Sequence, residues 1–203
     1  MRSDFGGHQK AFAQIVEHFS SSSEDVRRSA AFAAGNVAVG NSDSFLPPIL
    51  QLIETDDKKR YLALQALKEV SSRLLRLAPL ATLAHLFALQ VIVHSSTESL
   101  ASISDTLWTP LFDNCQAQDE GTRNVAADCL GQLTVLNPAK YLPQLQARLS
   151  NKSRHTRATV IAAIRFTFTN ESSSYDELLA PLIVEFFKLI HDADLVRTSL
   201  ISS

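Results

Sequence analysis

Hydrophobic residues recur along the chain at the intervals of α-helices, and five of these runs share a register that begins at an arginine. The positions three, four, seven and ten residues after each arginine are apolar wherever the chain contains them, except at Thr167. Apolar positions at these intervals lie on one face of a helix. The pattern therefore predicts five amphipathic helices, which open near Arg27, Arg60, Arg123, Arg157 and Arg197.

A second apolar segment precedes four of these helices, and each such segment contains a proline. Proline inside a helix bends it, so the pattern predicts a bent helix followed by a straight one. Polar segments rich in Asp, Ser and Asn, which are common helix caps, separate the helices. No segment shows the sustained alternation typical of strands. The prolines are Pro47, Pro110, Pro143 and Pro181.

The helix pairs repeat, because successive arginines are 33, 63, 34 and 40 residues apart. A helix pair that recurs at this interval predicts an α-solenoid of the HEAT, armadillo or tetratricopeptide type. The proline in the first helix and the Asp25-Val26-Arg27 opening of the second favour HEAT. We predict an all-α HEAT-repeat solenoid of about four to five helix pairs, with residues 1–203 as a single array. We interpret the five arginines as a structural ladder between repeats, paired with neighbouring Asp side chains.

Composition and charge exclude several classes of partner. The net charge is −2 and the pI is about 6.3, so no bulk electrostatic attraction favours nucleic acid or an anionic membrane. The longest uncharged segment, which contains residues 77–96, is interrupted by Pro79, His85 and Gln90, which disfavours a membrane helix. Two cysteines form no disulfide framework, which favours a cytoplasmic or nuclear location.

No catalytic residue, metal ligand or cofactor site is predicted. Asp4-Phe5-Gly6 stands without the other kinase motifs, and the histidines lack metal-ligand spacing. Cys115 and Cys129 are predicted to be buried, unreactive thiols. The segment Gly35–Gly40 has the glycine spacing of a phosphate loop but lacks its lysine, so Gly40 is interpreted as a helix C-cap. Gly35 and Gly131 are predicted to allow close helix packing.

Three segments resemble the cullin-associated, neddylation-dissociated proteins, a family of long HEAT solenoids. They are SSSEDVRRSAAFAAGNVAVGN, DDKKRYLALQALKEV and EGTRNVAADCLGQLTVLNPAKYLPQLQARLS. The stretch EGTRNVAADCLGQLT within the third segment is more specific than a general HEAT consensus. The resemblance covers roughly residues 14–72 and 97–197, and it implies a fragment from the C-terminal half of such a protein.

The resemblance implies a non-enzymatic scaffold, present in cytoplasm and nucleus, that regulates assembly of SCF-type cullin–RING ubiquitin ligases. Such proteins bind the unneddylated cullin of the ligase core, compete with the adaptor and substrate-receptor module, and promote substrate-receptor exchange. The alternative is another HEAT scaffold, such as a nuclear transport receptor or a phosphatase scaffold. Those classes share the repeat but not the stretch EGTRNVAADCLGQLT.

The chain departs from the family pattern in its middle and at its ends. Residues 73–93 form an apolar insertion, which is either a lineage-specific helix or noncoding sequence translated from a faulty gene model. The second reading is favoured, because the insertion lacks the polar face of an exposed helix. The array is also expected to be truncated at both ends, which predicts poor solubility through exposed apolar residues. These residues are Ile183, Phe186, Phe187, Ile190 and Leu200.

Two sets of polar residues are candidates for partner contact. The first consists of positions expected to be exposed on the second helices, namely Arg28, Asn36, Lys68 and Asn124. The second is a mild cationic cluster formed by Lys152, Arg154, Arg157 and Arg165. That cluster is either a solvated helix face or a surface for an acidic patch on a partner.

Overall fold

The computed structural model describes residues 5–86 and 90–168 of the 203-residue chain, together with positions 180, 184 and 187–189. Side chains are described within 7–76 and 101–167 and at those five positions. The two long ranges contain eight α-helices and no strand, which confirms the all-α helical-repeat prediction. The helices are α1 (Phe5–Glu17), α2 (Glu24–Gly40), α3 (Ser42–Thr55), α4 (Arg60–Leu86), α5 (Gln90–Asp113), α6 (Glu120–Leu136), α7 (Pro138–Arg148) and α8 (Arg154–Phe168).

The helices alternate as the sequence predicts. Pro47, Pro110 and Pro143 lie inside the first helices α3, α5 and α7. The second helices α2, α4, α6 and α8 contain the predicted arginines, whereas Pro181 and Arg197 lie outside the described residues.

An asparagine connects one helix pair to the next at two places in the chain. Asn41 ends α2 and caps α3, where its side-chain oxygen accepts a hydrogen bond from Ser44 N at 3.1 Å. Asn137 does the same between α6 and α7, accepting from Lys140 N at 3.2 Å. The C-cap of α2 is therefore Asn41, and the expectation that Gly40 caps the helix is corrected. Gly40 is the last helical residue.

The arginines bind the turn that precedes their own helix. Nη1 of Arg27, Arg123 and Arg157 each donates to the backbone carbonyls five and six residues earlier, at 2.6 to 3.2 Å. Arg60 Nε donates to the carbonyl of Ile53 at 2.8 Å. Late helix carbonyls and turn carbonyls have no helical partner, and the guanidinium supplies several donors. The arginines therefore fasten the turn within each helix pair.

One of the described arginines forms the expected ion pair with an Asp side chain, and two others have other hydrogen-bond partners. Arg60 forms an ion pair with Asp57. Among the described residues, Arg27 and Arg123 have only the carbonyl contacts as hydrogen bonds, and Asp119 instead caps α6. At Arg27 the carbonyl contacts replace the expected Asp pairing, whereas Arg123 keeps an electrostatic interaction with Asp119, whose pKa it helps to lower. A ladder between repeats stays a prediction.

The chain divides into two compact units, residues 1–73 and 74–203. The core of the first unit includes Phe12, Ile49 and Leu64, and that of the second includes Leu111 and Leu130. The boundary falls at the start of the predicted insertion, 73–93. Within this segment α4 continues to Leu86 and α5 begins at Gln90. Residues 87–89 and the side chains of residues 77–93 lie outside the described residues. The single array and the origin of the insertion stay predictions.

Glycine sets the distance between neighbouring second helices. A Cβ on Gly35 would lie 2.5 Å from the carbonyl oxygen of Ala66 in α4. A Cβ on Gly131 would lie 2.6 Å from Phe166 Cβ and 2.9 Å from the Ala163 carbonyl oxygen in α8. Only glycine allows so close an approach of two backbones. The prediction of close packing at both glycines is confirmed.

Candidate protein-binding surfaces

Two of the four predicted contact residues meet in one groove of the first unit, between α2 and α4. Arg28 lies on α2 and Lys68 on α4, and the groove has a volume of about 330 Å³. We call it the α2/α4 groove. Its lining residues are Arg28, Ala31, Phe32, Tyr61, Gln65, Lys68, Glu69 and Ser72.

Two exposed aromatic side chains distinguish the α2/α4 groove. Phe32 is 56% exposed and Tyr61 is 39% exposed. Gln65 Nε2 donates to the Tyr61 hydroxyl at 2.9 Å, which holds the phenol along α4. Large apolar side chains left in water at a groove are typical of a surface that a partner covers.

Charged side chains surround these aromatics. Arg28 forms an ion pair with Glu24 at 3.0 Å, and both side chains are well exposed. Arg73 Nε donates to Glu69 Oε1 at 3.1 Å across the next turn of α4. The Arg28–Glu24 pair is exposed, so it contributes little to stability and can exchange partners readily, whereas the Glu69 side chain is only 16% exposed. The groove thus offers an apolar centre and a polar, adaptable rim.

The other two predicted contact residues lie elsewhere. Asn36 is half-buried, and its Nδ2 donates to the Phe32 carbonyl at 2.8 Å within α2. Asn124 is exposed on α6 in the second unit. Sequence reasoning missed Phe32 and Tyr61, because hydrophobic residues were assigned to the core. Their register was a usable signal, since they lie five residues and one residue after an arginine, outside the apolar face.

A second groove, of about 300 Å³, lies between the first helices α5 and α7 of the second unit. We call it the α5/α7 groove. Trp108 stacks on Tyr141 with ring centroids 4.1 Å apart, and it meets Phe112 edge-on at 5.1 Å. Arg148 lies over the Phe112 ring at 5.3 Å. The groove is lined by Trp108, Thr109, Phe112, Asp113, Gln144, Ala147 and Arg148.

Asp105 fixes this aromatic cluster from beside the groove. It accepts a hydrogen bond from the Tyr141 hydroxyl at 2.8 Å and pairs with Lys140. These two partners hold the pKa of Asp105 below its ordinary value, while burial and the contact with Asp105 raise the pKa of Tyr141. The hydrogen bond from Tyr141 to Asp105 and the stack of Tyr141 on Trp108 together hold the Trp108 ring in place beside the groove.

The nucleophilic candidates occupy unreactive surroundings. Cys115 and Cys129 are both buried, as predicted, and burial raises the pKa of the Cys115 thiol to about 12. A thiol that remains protonated is a poor nucleophile. The pKa of His155 is lowered by burial and by the nearby Arg123 and Arg154. In the part of the chain with described side chains, His, Cys, Asp and Glu form no cluster of three suited to a metal ion.

The predicted cationic cluster separates into two kinds of residue. Lys152 and Arg154 are exposed, whereas Arg157 is half-buried with its guanidinium on the carbonyls of residues 151 and 152. Arg165 is also half-buried.

No helix among the described residues has the length and apolar character needed to cross a membrane.

Comparison with known proteins gives no matching family model but several relatives. The chain is 34% identical to Cullin-associated NEDD8-dissociated protein 1 of Arabidopsis thaliana over 193 residues, 95% of this chain and 14% of the relative. It is 37% identical to the protein of the same name from Drosophila melanogaster over 180 residues, 89% of this chain and 13% of the relative. Among solved structures, an engineered protein gives a TM-score of 0.41 at 14% identity, over 94% of this chain and 76% of that one.

A third relative bears on the position of the match within the family. It is the C-terminal part of Cullin-associated NEDD8-dissociated protein 1 from Emericella nidulans, 33% identical over 182 residues, 89% of this chain and 16% of the relative. This agrees with the expectation of a fragment from the C-terminal half. The chain spans 13 to 16% of the length of these relatives, and it belongs to the family of cullin-associated NEDD8-dissociated proteins.

Proposed function

We propose that this chain is a protein-binding segment of a non-enzymatic regulator of SCF-type cullin–RING ubiquitin ligases. The observation that carries the proposal is the similarity to proteins named for association with cullin and dissociation from NEDD8, which extends over about nine-tenths of the chain. The partner is the cullin of the ligase core in its unneddylated form. The segment works in cytoplasm and nucleus.

The α2/α4 groove is the contact surface that we propose for the cullin. Its two exposed aromatics can lose water against an apolar side chain of the partner, and Arg28 and Lys68 lie at the same groove. Aromatic and arginine residues contribute most of the binding energy at typical interfaces, while the surrounding contacts mainly exclude water. Asn124 is a further candidate contact on the second-helix face of the second unit.

The proposed mechanism is competition. A helical repeat array binds through many modest contacts, because each repeat adds a small area of surface. A cullin held in this way excludes the adaptor and substrate-receptor module, and release of the array lets a different module bind. Exchange by this route requires no covalent chemistry from the chain, and no cofactor.

The test is retention of purified cullin by the immobilised 203-residue chain, with unmodified and NEDD8-modified cullin compared side by side. We expect the unmodified form to be retained preferentially. Equal retention of both forms contradicts the proposed selectivity. Retention of a nuclear transport cargo or a phosphatase subunit without cullin supports the alternative HEAT scaffolds instead.

Variants locate the contact. Phe32→Ala and Tyr61→Ala each remove an exposed ring from the groove, and we expect each to weaken cullin binding about tenfold or more. Val26→Ala is the matched control, because Val26 is 40% exposed on α2 but does not line the groove. Unchanged affinity in both aromatic variants would exclude the α2/α4 groove as the contact, whereas cullin binding itself could still hold.

A further inference from the structure

The α7–α8 turn carries three exposed cations within seven residues. They are Arg148 at the end of α7, Lys152 in the turn and Arg154 at the start of α8. The turn is tight, since Asn151 N donates to the Arg148 carbonyl at 3.0 Å. Within the described residues, none of the three has an ion pair, and the contact of the Arg148 guanidinium is the Phe112 ring. We call Arg148, Lys152 and Arg154 the basic edge.

One residue of the basic edge, Arg154, is unfavourable for the helix that it opens. The N-terminus of a helix carries partial positive charge, so acidic residues stabilise it and basic residues destabilise it. Helix α2 begins with Glu24 and Asp25, and α6 begins with Glu120. Helix α8 has no acidic residue in its first turn and opens with Arg154. The charge that the dipole of α8 disfavours is that of Arg154, whereas Arg148 lies in the last turn of α7, where a cation is favourable. An anionic partner would neutralise the charge at the start of α8.

An apolar groove adjoins the same edge. Arg148 belongs both to the basic edge and to the lining of the α5/α7 groove. Trp108 is held by its stack on Tyr141, which Asp105 fixes in turn, so the aromatic floor is formed before any partner arrives. The small, exposed Ala147 leaves the groove open beside Arg148. Its volume of about 300 Å³ accommodates one or two side chains.

We propose that the α5/α7 groove and the basic edge together bind an acidic peptide segment that inserts one large apolar side chain beside Trp108 and Phe112. The carboxylates of the segment pair with Arg148, Lys152 and Arg154. The remaining charge of the groove, Asp113, repels them and so places the acidic residues on the Arg148 side. This surface is distinct from the α2/α4 groove and does not depend on the proposed cullin contact.

A protein segment fits these residues better than a nucleic acid does. Nucleic-acid binding depends on many phosphate contacts, and here the edge supplies three cations on a chain of net charge −2. An aromatic floor with a small neighbouring residue suits insertion of a peptide side chain.

The test is selection from a displayed library of random dodecapeptides on the 203-residue chain, with subtraction on the triple variant Arg148→Glu, Lys152→Glu, Arg154→Glu. We expect enriched sequences to combine Asp or Glu with one Leu, Met, Phe or Trp. The dissociation constant of the most enriched peptide is then measured by fluorescence anisotropy. Enrichment without acidic residues, or equal binding to the triple variant, would overturn the proposal.

Single variants separate the two parts of the surface. Arg148→Glu removes one cation, and we expect it to weaken binding of the enriched peptide about tenfold. Ala147→Phe fills the groove and retains all three cations, and we expect a similar loss of affinity. Lys58→Glu, an exposed cation of the first unit, is the matched control and leaves binding unchanged. Tighter binding of a labelled 20-nucleotide polyuridine than of the peptide would assign the surface to nucleic acid. Equal binding of a peptide whose apolar residue is replaced by Ser would exclude the groove.

Discussion

Gly35 in the first unit and Gly131 in the second occupy the same repeat position, eight residues after Arg27 and Arg123. At both positions the second helix of the following pair packs into the space that a Cβ would occupy. The two glycines differ in the residues that lie against them. Gly35 meets the Ala66 carbonyl and the side chain of Glu69, whereas Gly131 meets the Phe166 side chain and the Ala163 carbonyl.

The exposed surfaces above these two contacts differ more than the contacts themselves. Five residues after the arginine, the first unit has the exposed Phe32 and the second has the half-buried Asp128. One residue after the following arginine, the first unit has the exposed Tyr61 and the second has the small, buried Ala158. The same packing thus supports an aromatic groove in one unit and a different surface in the other. The repeat thus keeps the backbone packing, while the side chains at these positions differ between the units.

The largest expected effect comes from filling the glycine contacts. In Gly131→Ala the new Cβ overlaps Phe166 and a backbone carbonyl. A Cβ and a backbone carbonyl cannot easily move aside, so overpacking should cost about 3 kcal/mol, the upper end of its usual range. Alanine returns up to about 1 kcal/mol of helix propensity, which leaves an expected net loss of roughly 2 kcal/mol. Trp108, the single tryptophan, reports urea unfolding of the second unit by fluorescence.

The matching change in the first unit is Gly35→Ala, followed by circular dichroism, with an expected loss of similar size. Gly40→Ala is the control for both, because a Cβ at Gly40 meets nothing within 4 Å. If the three alanine variants were equally stable, the close approach would have no energetic role.

A slightly smaller effect is expected from the turn arginines. Arg123 is buried and Arg27 is half-buried, and each donates two hydrogen bonds to turn carbonyls. Loss of a hydrogen-bond partner is more costly for a carbonyl that is less exposed, so Arg123→Ala should lower the free energy of unfolding by about 1.5 kcal/mol and Arg27→Ala by about 1 kcal/mol. The same two spectroscopic signals measure this difference. A larger loss at Arg27 would mean that burial does not set the cost.

The helix caps should differ in their response to pH. Ser23 caps α2 and Asp119 caps α6 at equivalent positions. The hydrogen bonds from Thr122 hold the pKa of Asp119 below its ordinary value. A lowered pKa stabilises the fold above about pH 4, and this contribution is lost as pH falls through the folded-state pKa.

We therefore expect Asp119→Ala to lower the free energy of unfolding by about 1 kcal/mol at pH 7 and by clearly less at pH 3. Ser23→Ala should lose the same amount at both pH values, because a hydroxyl does not titrate in this range. Urea titrations at the two pH values measure both variants. An equal pH response in the two variants would contradict the assignment of the pH-dependent stability to the Asp119 carboxylate.

The smallest expected effect on the free energy of unfolding comes from a substitution that changes an exposed side chain and leaves the helix packing intact. Phe32→Asp gives the first unit the residue that the second unit has at the same position. Phe32 is largely exposed, so the free energy of unfolding should change by about 0.5 kcal/mol or less. Thermal melting followed by circular dichroism checks this. A loss of several kcal/mol would show that the ring belongs to the core after all.

Much of the helical architecture followed from the sequence, because amphipathic helices have a short and regular period. The register of Arg27, Arg60, Arg123 and Arg157 located the second helices, and the prolines located the first ones. Gly35 and Gly131 were correctly assigned to close packing. The arginine contacts were only partly predicted, since their acceptors are backbone carbonyls, which every residue has and no sequence pattern marks.

The sequence by itself determined which residues form helices and which face each helix buries, since these depend on neighbours within a few turns. Only the tertiary structure decided that Arg28 and Lys68 share a groove with Phe32 and Tyr61, and that Arg148 lies over Phe112. Those contacts join residues from different helices. Their distances depend on how closely two backbones approach, and at α2 and α4 that approach is set by the absence of one Cβ at Gly35.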